Sequence, residues 1–164
     1  KDKNELKKLE QMHTLGKVNF DSVLVIDFGE RLKSVLTSFM FSDVSDNEVK
    51  FFTINQWFDE TFFNENAMQN LYFPSIDFKN LKKFNKKFVK TYNKKPNELS
   101  ILAYDALGLI YYCWYSNDYQ FRKDQLYSKK GFKGLHGKFI IKENLSMQKL
   151  NIYKVSKKKF IKVY

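Results

Sequence analysis

Five consecutive residues, Asp27-Phe-Gly-Glu-Arg31, place two acids, a glycine and a guanidinium where an apolar run stops and a helical pattern begins. Backbone N–H groups at a helix N-terminus favour negative charge, so this turn could hold an anion or a ligand carboxylate. The same residues also read as architecture, with Asp27 capping the helix, Gly29 permitting the turn, and Glu30 and Arg31 solvated. A second group, Asn55-Gln-Trp57, sets two amides beside an indole that could stack on a ligand or seal an edge. Sealing is the favoured role, because aromatic side chains bury about 150–250 Å² each and usually serve the core. No Ser, His and acid form a nucleophile motif such as Gly-x-Ser-x-Gly. The lone Cys113, between Tyr112 and Trp114, reads as a buried inert thiol, and His13 and His136 lie too far apart in sequence for zinc-ligand spacing. No catalytic residue, metal or cofactor is expected.

The elements that position these residues follow from periodicity. Leu6, Leu9, Met12 and Leu15 predict an amphipathic helix over 3–16 that ends on Gly16. The run Val23 to Ile26 reads as a strand buried on both faces, hence part of a parallel sheet. Leu32, Val35, Leu36 and Phe39 then recur at helical spacing, which makes a βα unit. A second strand covers Val49 to Ile54, followed by a short helical segment to Met68, and a third, Leu71 to Phe73, stops at Pro74. In parallel sheets the working surface is the crevice beyond the strands' carboxyl ends, which here gathers Asp27, Gly29, Glu30, Arg31, Asn55, Trp57 and Tyr72.

Beyond Asp77, the expected helix cap, Phe78, Leu81, Phe84, Phe88, Val89 and Tyr92 share one face, and Lys79, Lys82, Lys83, Lys86, Lys87 and Lys90 the other. The helix Glu98 to Tyr115 is apolar nearly all round, which predicts cover on most sides. A loop then leads to Gly131, Gly134 and Gly137, and strands are expected over 138–141, 149–155 and 159–163, the last two a hairpin across Ser156-Lys157-Lys158. This order predicts an α/β fold: a three-layer lobe with a mostly parallel sheet and a C-terminal β-hairpin, with residues 1–164 as a single lobe.

The chain carries 29 Lys and Arg against 18 Asp and Glu, a formal charge of +11. Charge is unevenly placed: residues 1–78 hold 8 basic and 13 acidic residues, and residues 79–164 hold 21 and 5. Of the basic residues 27 are Lys, and no arginine cluster, aromatic RNA-binding strand or helix-turn-helix pattern accompanies them, so nucleic acid is not an expected partner. The lysine face reads as solvated surface. The longest nearly apolar run, Ile101 to Trp114, is too short to span a membrane and is broken by Asp105.

Three stretches resemble the second half of type I periplasmic binding proteins. They are Phe84-x3-Phe88-x3-Tyr92-x3-Pro96 leading into Ala103-Tyr-Asp-Ala106, then Gly131-Phe-Lys-Gly-Leu-His-Gly-Lys-Phe, and the closing hairpin. Asn19-Phe-Asp-Ser-Val-Leu-Val-Ile-Asp-Phe-Gly-Glu-Arg-Leu and Phe52-Thr-Ile-Asn-Gln-Trp57 are similar to one branch, the penicillin-binding protein activators of the LppC or LpoA type. That resemblance implies a non-catalytic envelope protein that regulates a peptidoglycan synthase, located in the periplasm and anchored by lipid outside this stretch. The alternative it leaves open is the substrate-binding component of an ABC transporter for branched-chain or other amino acids, with a permease as partner. It also implies that Tyr104 and Asp105 lie near a hinge, that the chain is the C-terminal part of a two-lobed protein, and that the uncovered helix could drive self-association. Asn144 precedes Leu145 where the family usually has an Asp-Gly or Asn-Gly turn, so a differently built turn is expected there.

Overall fold

The computed structural model describes residues 3, 4, 6, 7, 18–44, 46–135 and 137–164. Most of the helix expected over 3–16, its terminal Gly16 included, lies outside the described residues, as does His136. In chain order the elements are β1 (Ser22–Val25), α1 (Gly29–Phe41), β2 (Lys50–Thr53), β3 (Tyr72–Ser75), α2 (Phe78–Tyr92), α3 (Glu98–Tyr115), β4 (Phe132–Gly134), β5 (Gly137–Lys142), β6 (Leu145–Gln148), β7 (Asn151–Ser156) and β8 (Lys159–Lys162). The fold is α/β, with a mixed, mostly parallel five-stranded sheet and a separate antiparallel sheet. Two compact units form, residues 1–74 with 152–164, and residues 75–151.

In the first unit the strand order is β1-β2-β3-β7-β8, with β1, β2 and β3 parallel and β7 and β8 an antiparallel hairpin. Register assigns alternate residues to opposite faces. One face carries Val25, Phe51, Phe73, Tyr153 and Phe160. There α1 buries Leu32 and Leu36 and sets Phe39 against Phe51 at 5.4 Å between ring centroids. Two 3-10 turns, Glu60–Asn64 and Asn66–Met68, stand where a short helix was expected, and they bury Phe62 and Met68. Rings of Phe58, Phe73, Tyr153 and Phe160 meet at 4.8 to 6.0 Å, mostly edge to face.

The opposite face holds Leu24, Phe52, Tyr72, Lys154 and Ile161. Here β1 departs from expectation: Leu24 and Ile26 are exposed, so the strand is not buried on both faces. An apolar run shows which residues tolerate cover, whereas β1 is an edge strand with its helix on one side only. Strand β3 also continues through Pro74, where a stop was expected. Phe52 pairs with Tyr72 and β2 ends at Thr53, so Pro74 lies past its neighbour's last residue and its missing N–H breaks no rung there.

In the second unit Asp77 caps α2, its carboxylate accepting the Asn80 N–H at 3.0 Å, and Asn93 closes the helix in the left-handed conformation. Leu81 and Phe84 are buried while the six lysines of the other face are exposed, as the spacing predicts. Asn97 caps α3. Only Ile101 and Cys113 of α3 are buried, which corrects the expectation of cover on most sides. Composition marks a surface that can be covered; it does not supply the cover. The glycine segment, read as a loop, contains β4, which with β5 and β6 forms an antiparallel meander. Lys142 pairs with Leu145, so a two-residue turn of Glu143 and Asn144, both at positive φ, joins β5 to β6 one residue earlier than the Asn144-Leu145 pair.

Phe73 sits at the centre of the ring cluster and is 1% exposed. Phe73→Ala is expected to lower unfolding stability by about 3–5 kcal/mol in urea titrations, and a loss under about 1 kcal/mol would show that the cluster is not the core.

Candidate functional site

Parallel pairing of β1 and β2 brings their carboxyl ends side by side. The Thr53 hydroxyl donates to the Val25 carbonyl at 2.8 Å, and the Gln56 amide donates to the Asp27 carbonyl at 2.8 Å and to Thr53 Oγ1 at 3.2 Å. Both side chains are buried, so these bonds form away from bulk water, where an unmade bond is costly. Thr53 was absent from the residues singled out by sequence, and Gln56 was noted only as one of the two amides beside Trp57. Their signal was present, a polar pair three apart at the end of an apolar strand.

The expected site residues fall around this tie. Asp27 does not cap α1: its carboxylate accepts the N–H of the next residue, Phe28, at 2.8 Å, and Phe28 holds the cap position without a side-chain bond. A cap must reach an N–H two or three residues onward, and Asp27 sits one residue too early for that. Gly29 makes the turn at φ +53°. Glu30 is engaged with Lys33 at 2.9 Å, and this carboxylate holds the Lys33 ammonium above its ordinary value. Arg31 is exposed. Asn55 accepts the Trp57 N–H at 3.0 Å in a tight turn, and Trp57 and Phe58 both take positive φ, sparsely populated for aromatic residues. Trp57 is half-buried and Phe58 joins the core.

Asp27 and Asn55 to Trp57 therefore meet at one end of the sheet through Gln56. Tyr72 is placed differently. It opens β3 and lies on the face with Phe52, ring centroids 5.3 Å apart, with Lys154 Nζ 5.4 Å from its ring centre.

Tyr104 and Asp105 belong to α3 in the second unit. Asp105 accepts the Leu135 N–H at 2.7 Å, which ties the helix to the glycine segment. A Cβ at Gly134 would lie 2.5 to 2.7 Å from the Asp105 carboxylate, so glycine is required where the acid approaches. Tyr104 meets Phe84 of α2 edge to face at 5.1 Å, and Tyr112 meets Phe132 of β4 at 6.0 Å. Between them lies a cleft of about 670 Å³, lined by Asn80, Tyr104, Asp105, Tyr112, Phe132 and Lys133 among others. Among the described residues no group of His, Cys, Asp and Glu could hold a metal ion.

No protein-family model matches the sequence, and no curated protein matches it. Solved structures do match. The leucine binding protein LivK of Thermotoga maritima aligns over 100% of this chain and 48% of its own, with TM-score 0.60 and 14% identity. The C-domain of LpoA from Haemophilus influenzae, described as a regulator of PBP1A, aligns over 98% and 49%, with TM-score 0.63 and 13% identity. An ABC transporter substrate-binding protein from Desulfitobacterium hafniense aligns over 98% and 47%, with TM-score 0.61 and 14% identity. The fold is that of type I periplasmic binding proteins. The chain spans about half the length of each of these structures. They are binding and regulatory proteins, and among the described residues no helix is long and apolar enough to cross a membrane.

Two outcomes test the geometry. Gly134→Ala is expected to cost about 1–3 kcal/mol by displacing the Asp105 carboxylate, and the cost should shrink in an Asp105→Ala background; equal costs in both backgrounds would break the proposed coupling. Cys113 is fully buried, and burial raises its thiol above the ordinary 9.0. The folded thiol holds its proton more tightly than the unfolded one, so this contribution to stability is complete below pH 9.0 and falls as pH rises past it. Ellman's reagent should leave the native thiol unreacted at neutral pH and label it fully in urea, while rapid native labelling would contradict the burial.

Proposed function

We propose that this chain is the C-terminal part of a non-catalytic, two-lobed envelope protein that regulates a peptidoglycan synthase, with residues 1–164 contributing a single α/β lobe to it. The alignment of nearly the whole chain with the LpoA C-domain supports the regulatory reading at the level of fold, and alignment with LivK supports an amino-acid receptor equally at that level. The observation that favours the regulator is Gln56. A receptor for free amino acids needs polar groups at the strand ends left open for the ligand's ammonium and carboxylate. Here the buried Gln56 amide occupies the gap between the two strand ends and bonds the Asp27 carbonyl, Asp27 is turned onto its own backbone, and Glu30 is bound to Lys33.

In this reading Asp27, Gly29, Glu30, Arg31, Asn55 and Trp57 form a surface offered to a protein partner, with the exposed Arg31 as its free charge, and Tyr72 lies on the adjoining sheet face. Tyr104 and Asp105 are assigned to the hinge by the resemblance, and the bond from the Leu135 N–H to Asp105 holds the helix and the glycine segment together within the second unit. A lipid anchor outside this stretch would hold the protein at the membrane in the periplasm.

Calorimetry against a panel of free amino acids should show no binding, and immobilised protein should retain a penicillin-binding protein with peptidoglycan synthase activity from envelope extracts. Arg31→Glu should reduce that retention at least about tenfold, in line with loss of a charged interface contact. Tight binding of leucine or another amino acid, with no retention of a synthase, would favour the receptor instead.

A further inference from the structure

From Lys79 to Lys95 the chain carries eight lysines and no acidic residue. Six of them, Lys79, Lys82, Lys83, Lys86, Lys87 and Lys90, form one exposed face of α2, and no ion pair formed among the described residues includes any of them. Their spacing of three and four sets each ammonium beside the next along the helix, where like charges repel. The helix dipole opposes the arrangement as well: Lys79 stands in the first turn, which has no acid, and only Lys90 lies in the last turn, where a cation is favoured. Solvation satisfies each ammonium singly, but it does not account for a run of repelling neighbours without one acid among them.

A lysine-rich composition does not account for it either, since an even spread would charge both units alike. The first unit holds 13 Lys and Arg against 12 Asp and Glu, and the second holds 16 against 6. Nearly all of the excess charge therefore belongs to the second unit, and half of that unit's basic residues lie between Lys79 and Lys95. The other side of α2 is already committed within its unit: Leu81 and Phe84 are buried, and Phe84 meets Tyr104 of α3. Lysines are almost never buried without partners, so whatever covers the exposed face must supply negative charge.

We propose that the lysine face of α2 is an electrostatic docking surface for the anionic headgroup layer of a lipid bilayer. A protein partner is disfavoured, because lysine is depleted from protein interfaces. A nucleic acid would call for arginine forks and stacking rings, and the lysine face of α2 offers neither. Lipid phosphates shift position in the plane of the bilayer, and a flexible lysine stem ending in a point charge can follow them. Because Leu81 and Phe84 are held in their own unit, α2 lies on the headgroups without inserting, and the attraction is screened by salt. The proposal rests on the envelope reading for its bilayer, and it supplies the basic patch that makes attachment by a lipid chain secure.

Vesicles of phosphatidylcholine with about one-third phosphatidylglycerol should carry the chain in a flotation gradient, pure phosphatidylcholine should not, and raising salt from about 0.05 M to about 0.5 M should release it. Lys82→Gln, Lys83→Gln, Lys86→Gln and Lys87→Gln made together should weaken vesicle binding at least about tenfold. The circular dichroism spectrum should not change, because Gln is as good a helix former as Lys. Lys157→Gln, Lys158→Gln, Lys159→Gln and Lys162→Gln remove the same charge from exposed positions at the β7–β8 hairpin and should weaken binding less than about twofold. Duplex DNA added at equal phosphate should not displace the chain from the vesicles. No binding to anionic vesicles, equal losses from the two sets, binding that survives high salt, or displacement by DNA would each overturn the proposal. Synthase retention is read separately, so retention without vesicle binding removes the docking surface alone, and vesicle binding without retention removes the regulatory reading alone.

Discussion

The hydrogen bond from the Gln56 side chain to the Asp27 carbonyl governs the first unit. It joins Asp27, two residues beyond β1, to the turn after β2, and with the Thr53 hydroxyl on the Val25 carbonyl it makes a short polar ladder inside an otherwise apolar layer. Buried polar groups of this kind stabilise little when paired and cost about 1–3 kcal/mol when left alone, so they specify one arrangement more than they strengthen it. From that arrangement the rest follows. The α1 turn starts at Gly29, Asn55 folds onto the Trp57 N–H, and Phe58 is directed into the ring cluster with Phe73, Tyr153 and Phe160.

In the second unit Asp105 has the corresponding part. It draws the glycine segment onto α3 through the Leu135 N–H, and Gly134 is the residue that makes room for the carboxylate. The motif Ala103-Tyr-Asp-Ala106 and the spaced glycines thus belong to one contact, although 30 positions separate Asp105 from Leu135. One face of α3 serves this contact and the cleft beside it, while the other is left as an apolar stripe.

Local patterns made much of this fold readable. The bounds of α3, the Asp77 cap, the lysine face of α2 and the β7–β8 hairpin were all legible from spacing and turn chemistry. What composition could not show is where cover comes from. Leu24 and Ile26 look like core residues but sit on an uncovered sheet face, and α3 looks buried but is largely exposed. Short elements were also missed, because β4 and β6 offer three and four residues and the turn that joins β5 to β6 uses Glu143 and Asn144 without a glycine. At the candidate site Asp27, Asn55 and Trp57 were named from the crevice rule, and Gln56 was seen there as an amide beside Trp57 but not as the residue that joins the two strand ends. Its importance is set by burial, which a sequence pattern does not reveal.

The central claim is that the carboxyl end of the sheet is closed from within by the Gln56 amide. Selective labelling of glutamine side chains, followed by hydrogen exchange and titration with free amino acids, tests this most directly. The account predicts that the Gln56 amide protons exchange far more slowly than those of an exposed glutamine and that their resonances stay in place as leucine and other amino acids are added. Rapid exchange, or a saturable shift on adding an amino acid, would contradict it.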